Sequence, residues 1–124
     1  MYKVSLNSKG IIEVVYKGAL TLEEYARADK DVSLLLDIFP NREGLVQIDI
    51  SKLTTNTSEG RRAAAASAKN MKNCRVAFIT PNIINRALTT LLISSANRTE
   101  LDKVFSNKED ASKWLESLRE EFQK

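Results

Sequence analysis

Apolar residues recur along this chain with two different spacings, and the switches between them divide it into elements. Tyr2 to Leu6 and Ile11 to Tyr16 read as two strands joined by Asn7-Ser8-Lys9-Gly10, a composition suited to a tight turn. A hairpin is therefore expected at the start. Thr21-Leu22-Glu23-Glu24 is a capping-box pattern, in which Thr21 and Glu24 satisfy each other's backbone amides. It opens a helix whose apolar positions include Leu22, Tyr25, Ala26, Val32, Leu35, Leu36 and Phe39, and Pro40-Asn41-Arg42-Glu43-Gly44 ends it.

The run Leu45 to Ile50 reads as an inner strand, and a helix is predicted from about Ser58 to Asn70. The alanines Ala63 to Ala66, with Ala68, suit a helix whose backbone lies close to a sheet. Arg75 to Thr80 reads as another inner strand. After Pro81, which favours a turn or a first helical position, Ile84, Ala87, Leu88, Leu91, Leu92 and Ser95 share one helical face, while Arg86, Thr89, Thr90 and Asn97 point elsewhere. Leu101 to Phe105 is a short final strand. Asn107-Lys108-Glu109-Asp110 then caps a last helix that carries Ala111, Trp114, Leu115, Leu118 and Phe122 toward the core.

Strands alternating with helices imply parallel pairing with right-handed crossovers, and the hairpin adds an antiparallel element. The predicted class is α/β, with a mixed, mostly parallel sheet of four to five strands and about four helices. With 124 residues, no internal repeat and no linker-like stretch, residues 1–124 read as a single domain.

Composition narrows the function classes. The apolar fraction of 43% with mixed charge is that of a globular protein. The longest apolar runs fall far below the roughly 20 residues that span a bilayer, and the N-terminus lacks an apolar signal core, so a cytoplasmic protein without a membrane span is expected. Cys74 is the single cysteine and histidine is absent, which leaves no expected metal site, no Cys-His catalysis and no cofactor. No Gly-rich phosphate loop or Gly-x-Ser-x-Gly elbow occurs, so an enzyme is not expected. Arg61, Arg62, Lys69, Lys72 and Arg75 form a basic stretch without an acid. They fall short of a dense nucleic-acid footprint and have no aromatic residues among them, so a nucleic-acid partner is not expected either.

The stretch with the most chemistry runs from Asp49 to Gly60, where a strand passes into a polar loop that opens the alanine-rich helix. Thr57 or Ser58 can be the N-cap of that helix and Glu59 can complement its dipole. A phosphate on a hydroxyl there would be favoured by the free amides, with Arg61 or Arg62 adding a charge-assisted contact.

Three segments carry a family resemblance: Lys17-Gly18-Ala19-Leu20-Thr21, Asp49-Ile50-Ser51 through Gly60, and Val104-Phe105-Ser106-Asn107-Lys108-Glu109-Asp110-Ala111-Ser112-Lys113-Trp114-Leu115. With the Arg75-Val76-Ala77-Phe78 strand they resemble the STAS domain family, more narrowly its SpoIIAA-like group of anti-sigma-factor antagonists. In regulatory members a strand ending in Asp-aliphatic-Ser is followed by Asp-Ser-Ser-Gly, whose first serine is phosphorylated by a partner kinase. The aligned residues here are Thr57-Ser58-Glu59-Gly60, so Thr57 replaces the family's Asp and Glu59 its second Ser. The resemblance makes Ser58 the candidate phosphoacceptor.

It also implies a non-catalytic regulatory protein-interaction domain whose partner is another protein, a kinase or an anti-sigma factor. The candidate partner surface comprises Asp49, Thr54, Thr55, Asn56, Thr57, Ser58, Glu59, Arg61 and Arg62, with Arg86 from the next helix. The alternative is a small-molecule or lipid-like ligand-binding domain, because the SpoIIAA-like fold is similar to a lipid-binding one. Against it, the apolar faces only suffice to cover one sheet. Homo-oligomerisation through a sheet edge or an apolar helix surface is left open.

Overall fold

The structure, a computed structural model, describes residues 1–38, 44–53, 74–95 and 97–122. Strands β1 (Tyr2–Leu6) and β2 (Ile12–Gly18) form the expected hairpin. Its turn is built by Asn7, whose Oδ1 accepts from the amides of Lys9 at 2.9 Å and Ile11 at 3.0 Å, while Gly10 takes the left-handed φ of 78° that glycine adopts without strain.

Helix α1 (Leu22–Leu36) starts at the predicted capping box. Glu24 N donates to Thr21 Oγ1 at 3.1 Å and Thr21 N donates to Glu24 Oε1 at 3.2 Å. The Thr21 backbone bond and the Met1 ammonium 3.1 Å away hold the Glu24 carboxyl below its usual range. The helix stops at Asp37, short of Phe39. Then follow β3 (Gly44–Leu53), β4 (Cys74–Ile79), α2 (Ile83–Ser95), β5 (Asp102–Phe105) and α3 (Lys108–Phe122). The helix expected from about Ser58 to Asn70 lies outside the described residues, among which there are three helices.

The five strands lie in sequence order, β1-β2-β3-β4-β5, with β1 antiparallel to β2 and every later pair parallel. This is the predicted α/β class. Alternation along the strands separates two cores. On one face Ile12, Val14, Val46, Ile48, Cys74 and Val76 pack with Tyr25, Ala28 and Val32 of α1. Tyr16 meets Tyr25 there edge to face, 5.3 Å between ring centroids, and burial followed by the nearby charge of Asp29 pushes the Tyr16 phenol far above its ordinary value. On the other face Ile11, Leu45, Ala77 and Ile79 pack with Ala111 and Leu115 of α3, flanked by Phe105, Trp114 and Leu118.

Three residues of α3 spaced four apart fasten it to the hairpin and β3. Lys108 Nζ pairs with Glu13 at 3.1 Å, Ser112 Oγ donates to the buried Gln47 at 2.9 Å, and Glu116 pairs with Lys9. Trp114, expected as a core anchor, is half-buried against Phe105, with Lys103 Nζ 5.4 Å above its ring.

Helix α2 is turned relative to the expected orientation. Thr89 and Ile93 are buried, whereas Ile84 and Leu91 from the predicted apolar face are 70% and 63% exposed and Ala87 is exposed as well. The apolar stripe of this helix is wider than the sheet can cover, so periodicity alone does not choose which part goes in. Thr89 accepts burial because its hydroxyl donates to the Asn85 carbonyl at 2.7 Å.

Just beyond α2, Arg98 is buried with its guanidinium forked onto Asp102 at the start of β5, Nε to Oδ2 at 2.7 Å and Nη2 to Oδ1 at 2.8 Å. Nη2 also donates to the Cys74 carbonyl at 3.0 Å. Burial pushes the Asp102 carboxyl up, and the Arg98 contacts offset that only in part. Cys74 itself is fully buried at the start of β4, as expected of a small apolar residue.

Candidate functional site

Where β2 and β3 run side by side, Val15 is opposite Asp49 but Lys17 is opposite Lys52. Two steps on β2 correspond to three on β3, so β3 carries one extra residue between Asp49 and Lys52. Asp49 secures this bulge, because its Oδ1 accepts from both the Ser51 amide at 2.9 Å and the Ser51 hydroxyl. The bulge also resets the alternation. Ile50 and Leu53, three residues apart, both pack against the α1-side core. The Asp-aliphatic-Ser pattern therefore has a local structural task at the exit of the inner strand.

Beyond its hydrogen bonds, Asp49 lines a shallow cleft of about 210 Å³ with Lys3, Ser5, Glu13, Val15, Gln47 and Lys108. The cleft lies on the α3 side of the sheet, over the hairpin end that α3 leaves open. Its surface is half polar and half apolar, mixed in sign and bridged by the Glu13–Lys108 pair. Its volume is below the roughly 300 Å³ at which small-molecule pockets begin.

Arg86 sits one turn into α2. Asn82 caps this helix, accepting from Asn85 N at its Oδ1 (3.1 Å) and from Arg86 N at its carbonyl (2.9 Å). Two buried polar atoms without a partner flank the turn between β4 and α2, Thr80 Oγ1 and Arg86 Nε. Ile83 and Ile84, the first two residues of the helix, are 74% and 70% exposed.

Asp49 and Arg86 are not brought together. Asp49 alternates with Leu45 and Gln47, which meet α3. The right-handed sense of parallel crossovers, all advancing in the same direction across this sheet, puts α2 on the side of α1. Asp102 agrees, since it lies beside Val76 of the α1-side core and holds Arg98 at the end of α2. The other candidate residues, Thr54, Thr55, Asn56, Thr57, Ser58, Glu59, Arg61 and Arg62, lie outside the described residues.

Sequence reading missed Gln47, Glu13 and Lys108, the polar floor and rim of the cleft. The signal available was a glutamine inside an otherwise apolar strand. It also missed the exposed start of α2, because consecutive isoleucines read as core. Among the described residues no group of three or more His, Cys, Asp or Glu is placed to hold a metal, and no helix is long and apolar enough to cross a membrane.

The order of elements, the mixed sheet and the helix placement define a SpoIIAA-like α/β fold. A crystal structure of an uncharacterized protein of the DUF3478 family with a SpoIIAA-like fold, from Shewanella loihica PV-4, superposes with a TM-score of 0.70 at 19% identity, covering 93% of this chain and 92% of that one. The chain itself belongs to the family DUF7793, a domain of unknown function, whose model matches residues 4–119. No curated protein sequence matches it. The expected resemblance to the SpoIIAA-like group thus holds for the fold, while the family is DUF7793.

Proposed function

We propose that this chain is a non-catalytic regulatory protein-interaction domain that works from the carboxyl end of its parallel strands. The observation that carries this reading is the start of α2, where two isoleucines are exposed beside an arginine while the turn that presents them is fixed by Asn82. At the neighbouring exit of β3, Asp49 and Ser51 hold the strand end in one geometry. A fixed platform bearing exposed apolar side chains fits recognition of a protein surface. Phosphorylation of Ser58 as the control of this interaction rests on the sequence resemblance alone.

The test is affinity capture from the native host followed by reconstitution with the purified partner, together with intact-mass analysis mapped to Ser58. A specific partner whose reconstituted binding changes on Ser58→Asp is the expected result. Absence of any partner that binds in purified form overturns the reading, and a retained apolar small molecule in native mass spectrometry would replace it with ligand binding.

A further inference from the structure

The outer face of α2 carries a second layer of information about the partner. Ile83, Ile84, Ala87 and Leu91 are exposed along one side of the helix, with Ala87 three and four residues beyond the isoleucine pair and Leu91 four beyond Ala87. Arg86 lies at the rim of this stripe, half-buried, with Nε buried and unpartnered. Along the sequence, seven Lys and Arg residues and no Asp or Glu occur between Glu59 and Glu100. The chain thus supplies no carboxylate of its own from this whole stretch.

Resting on the protein-interaction reading, we infer that the outer face of α2 receives an amphipathic segment of another protein, whose apolar residues cover Ile83, Ile84 and Leu91 and whose carboxylate accepts from Arg86. Charge complementarity selects the occupant. A second copy docking by the same face would bring the same carboxylate-free stretch against itself. A nucleic acid would find isoleucines where it needs cations and stacking surfaces. An acidic, apolar segment matches both the exposed side chains and the positive charge at their rim.

The probe is a displayed library of randomised peptides selected on the intact protein, with the selected peptides synthesised and titrated against variants. Selected sequences should combine leucine, isoleucine or aromatic residues with Asp or Glu. Ile84→Glu, at an exposed position that tolerates the change, and Arg86→Ala should each weaken binding by about tenfold or more. Arg86→Glu should recover binding to a peptide whose acid is replaced by lysine, a readout that mere misfolding cannot produce. Peptides without a carboxylate, or an unchanged affinity in Ile84→Glu, overturn the inference. Binding that instead maps to the cleft around Glu13 and Asp49 also overturns it, while leaving an interaction domain standing. Self-association abolished by Ile84→Glu, or tighter binding to single-stranded nucleic acid or anionic vesicles than to any selected peptide, overturns it in favour of that occupant. A selection that yields no binder, with no partner captured from the host, overturns both readings.

Discussion

Asp49 Oδ1 accepts from both the backbone amide and the hydroxyl of Ser51, at the point where β3 holds one residue more than the strand beside it. The contact is local, yet it decides which residues beyond it point into the core. Removing the acceptor should relax the bulge. Asp49→Ala is expected to cost about 1–2 kcal/mol, in line with the loss of hydrogen bonds to a charged group. Asp49→Asn, which keeps an acceptor oxygen, should retain most of the stability. Denaturant unfolding measures the loss, and faster hydrogen exchange at Ser51 in Asp49→Ala would localise it.

The Arg98–Asp102 pair makes a different kind of demand. Both side chains are buried, so truncating either leaves an uncompensated charge, and Arg98→Ala or Asp102→Ala should each destabilise by about 3–5 kcal/mol. Replacing the two together with Met and Leu should recover most of that. Equilibrium unfolding of the two single variants and the double variant checks the non-additivity.

Tyr16 predicts an alkaline limit to stability. Its phenol titrates far above its ordinary value in the folded protein and near about 10 when unfolded, so the folded state holds the proton more tightly. That contribution is complete below the unfolded value and is lost as pH rises above it. Tyr16→Phe should flatten the fall in stability above about pH 10. Thermal unfolding across that range, in wild type and variant, is the measurement, and an equal fall in both would remove Tyr16 as the cause.

The ties of α3 to the sheet should differ in strength, the ion pair to the hairpin weak and the bond to Gln47 of β3 stronger. Lys108 is exposed and Glu13 half-buried, so a double-mutant cycle should return about 0.2–1 kcal/mol, diminishing with added salt. Gln47 is buried against Ser112, and Ser112→Ala should cost about 1–3 kcal/mol because it strands a buried amide group.

Gly44 illustrates a close approach. A Cβ there would run into Leu36 Cδ2 and sit 3.5 Å from Cys74 Cβ. Gly44→Ala should destabilise by about 1–3 kcal/mol, as overpacking does, and less in a Leu36→Ala background, where the space already exists. Chemical denaturation of the wild type, the two single variants and the double variant checks the coupling.

The strands were legible in the sequence because their alternation is clean and their ends carry turn chemistry, as Asn7 and Thr21 show. The α/β class followed from their order. The facing of α2 was not legible, since Ile83, Ile84, Leu88, Leu91, Leu92 and Ile93 surround most of the helix and only the width of the sheet decides between them. The bulge was hidden too, because an extra residue in β3 is visible only against its neighbour. Of the candidate site, Asp49 and Arg86 were named from sequence as one surface. Their separation by the sheet follows from strand alternation and crossover handedness, neither of which a loop motif reports. The Arg98–Asp102 pair drew no notice, because a charged pair four residues apart reads as a solvated helix contact.

Because each strand lies beside the one before it, the chain needs no threading and no later strand inserts between earlier ones. Synthesis from the N-terminus can lay the sheet down in order, each strand finding its neighbour already made. The α1-side core can close along the way. The other side cannot: Leu45, Ala77 and Ile79 must wait for Ala111 and Leu115, which leave the ribosome after all five strands. Until then the nascent protein shows a bare greasy flank, making α3 the natural checkpoint between a chaperone's client and a folded domain.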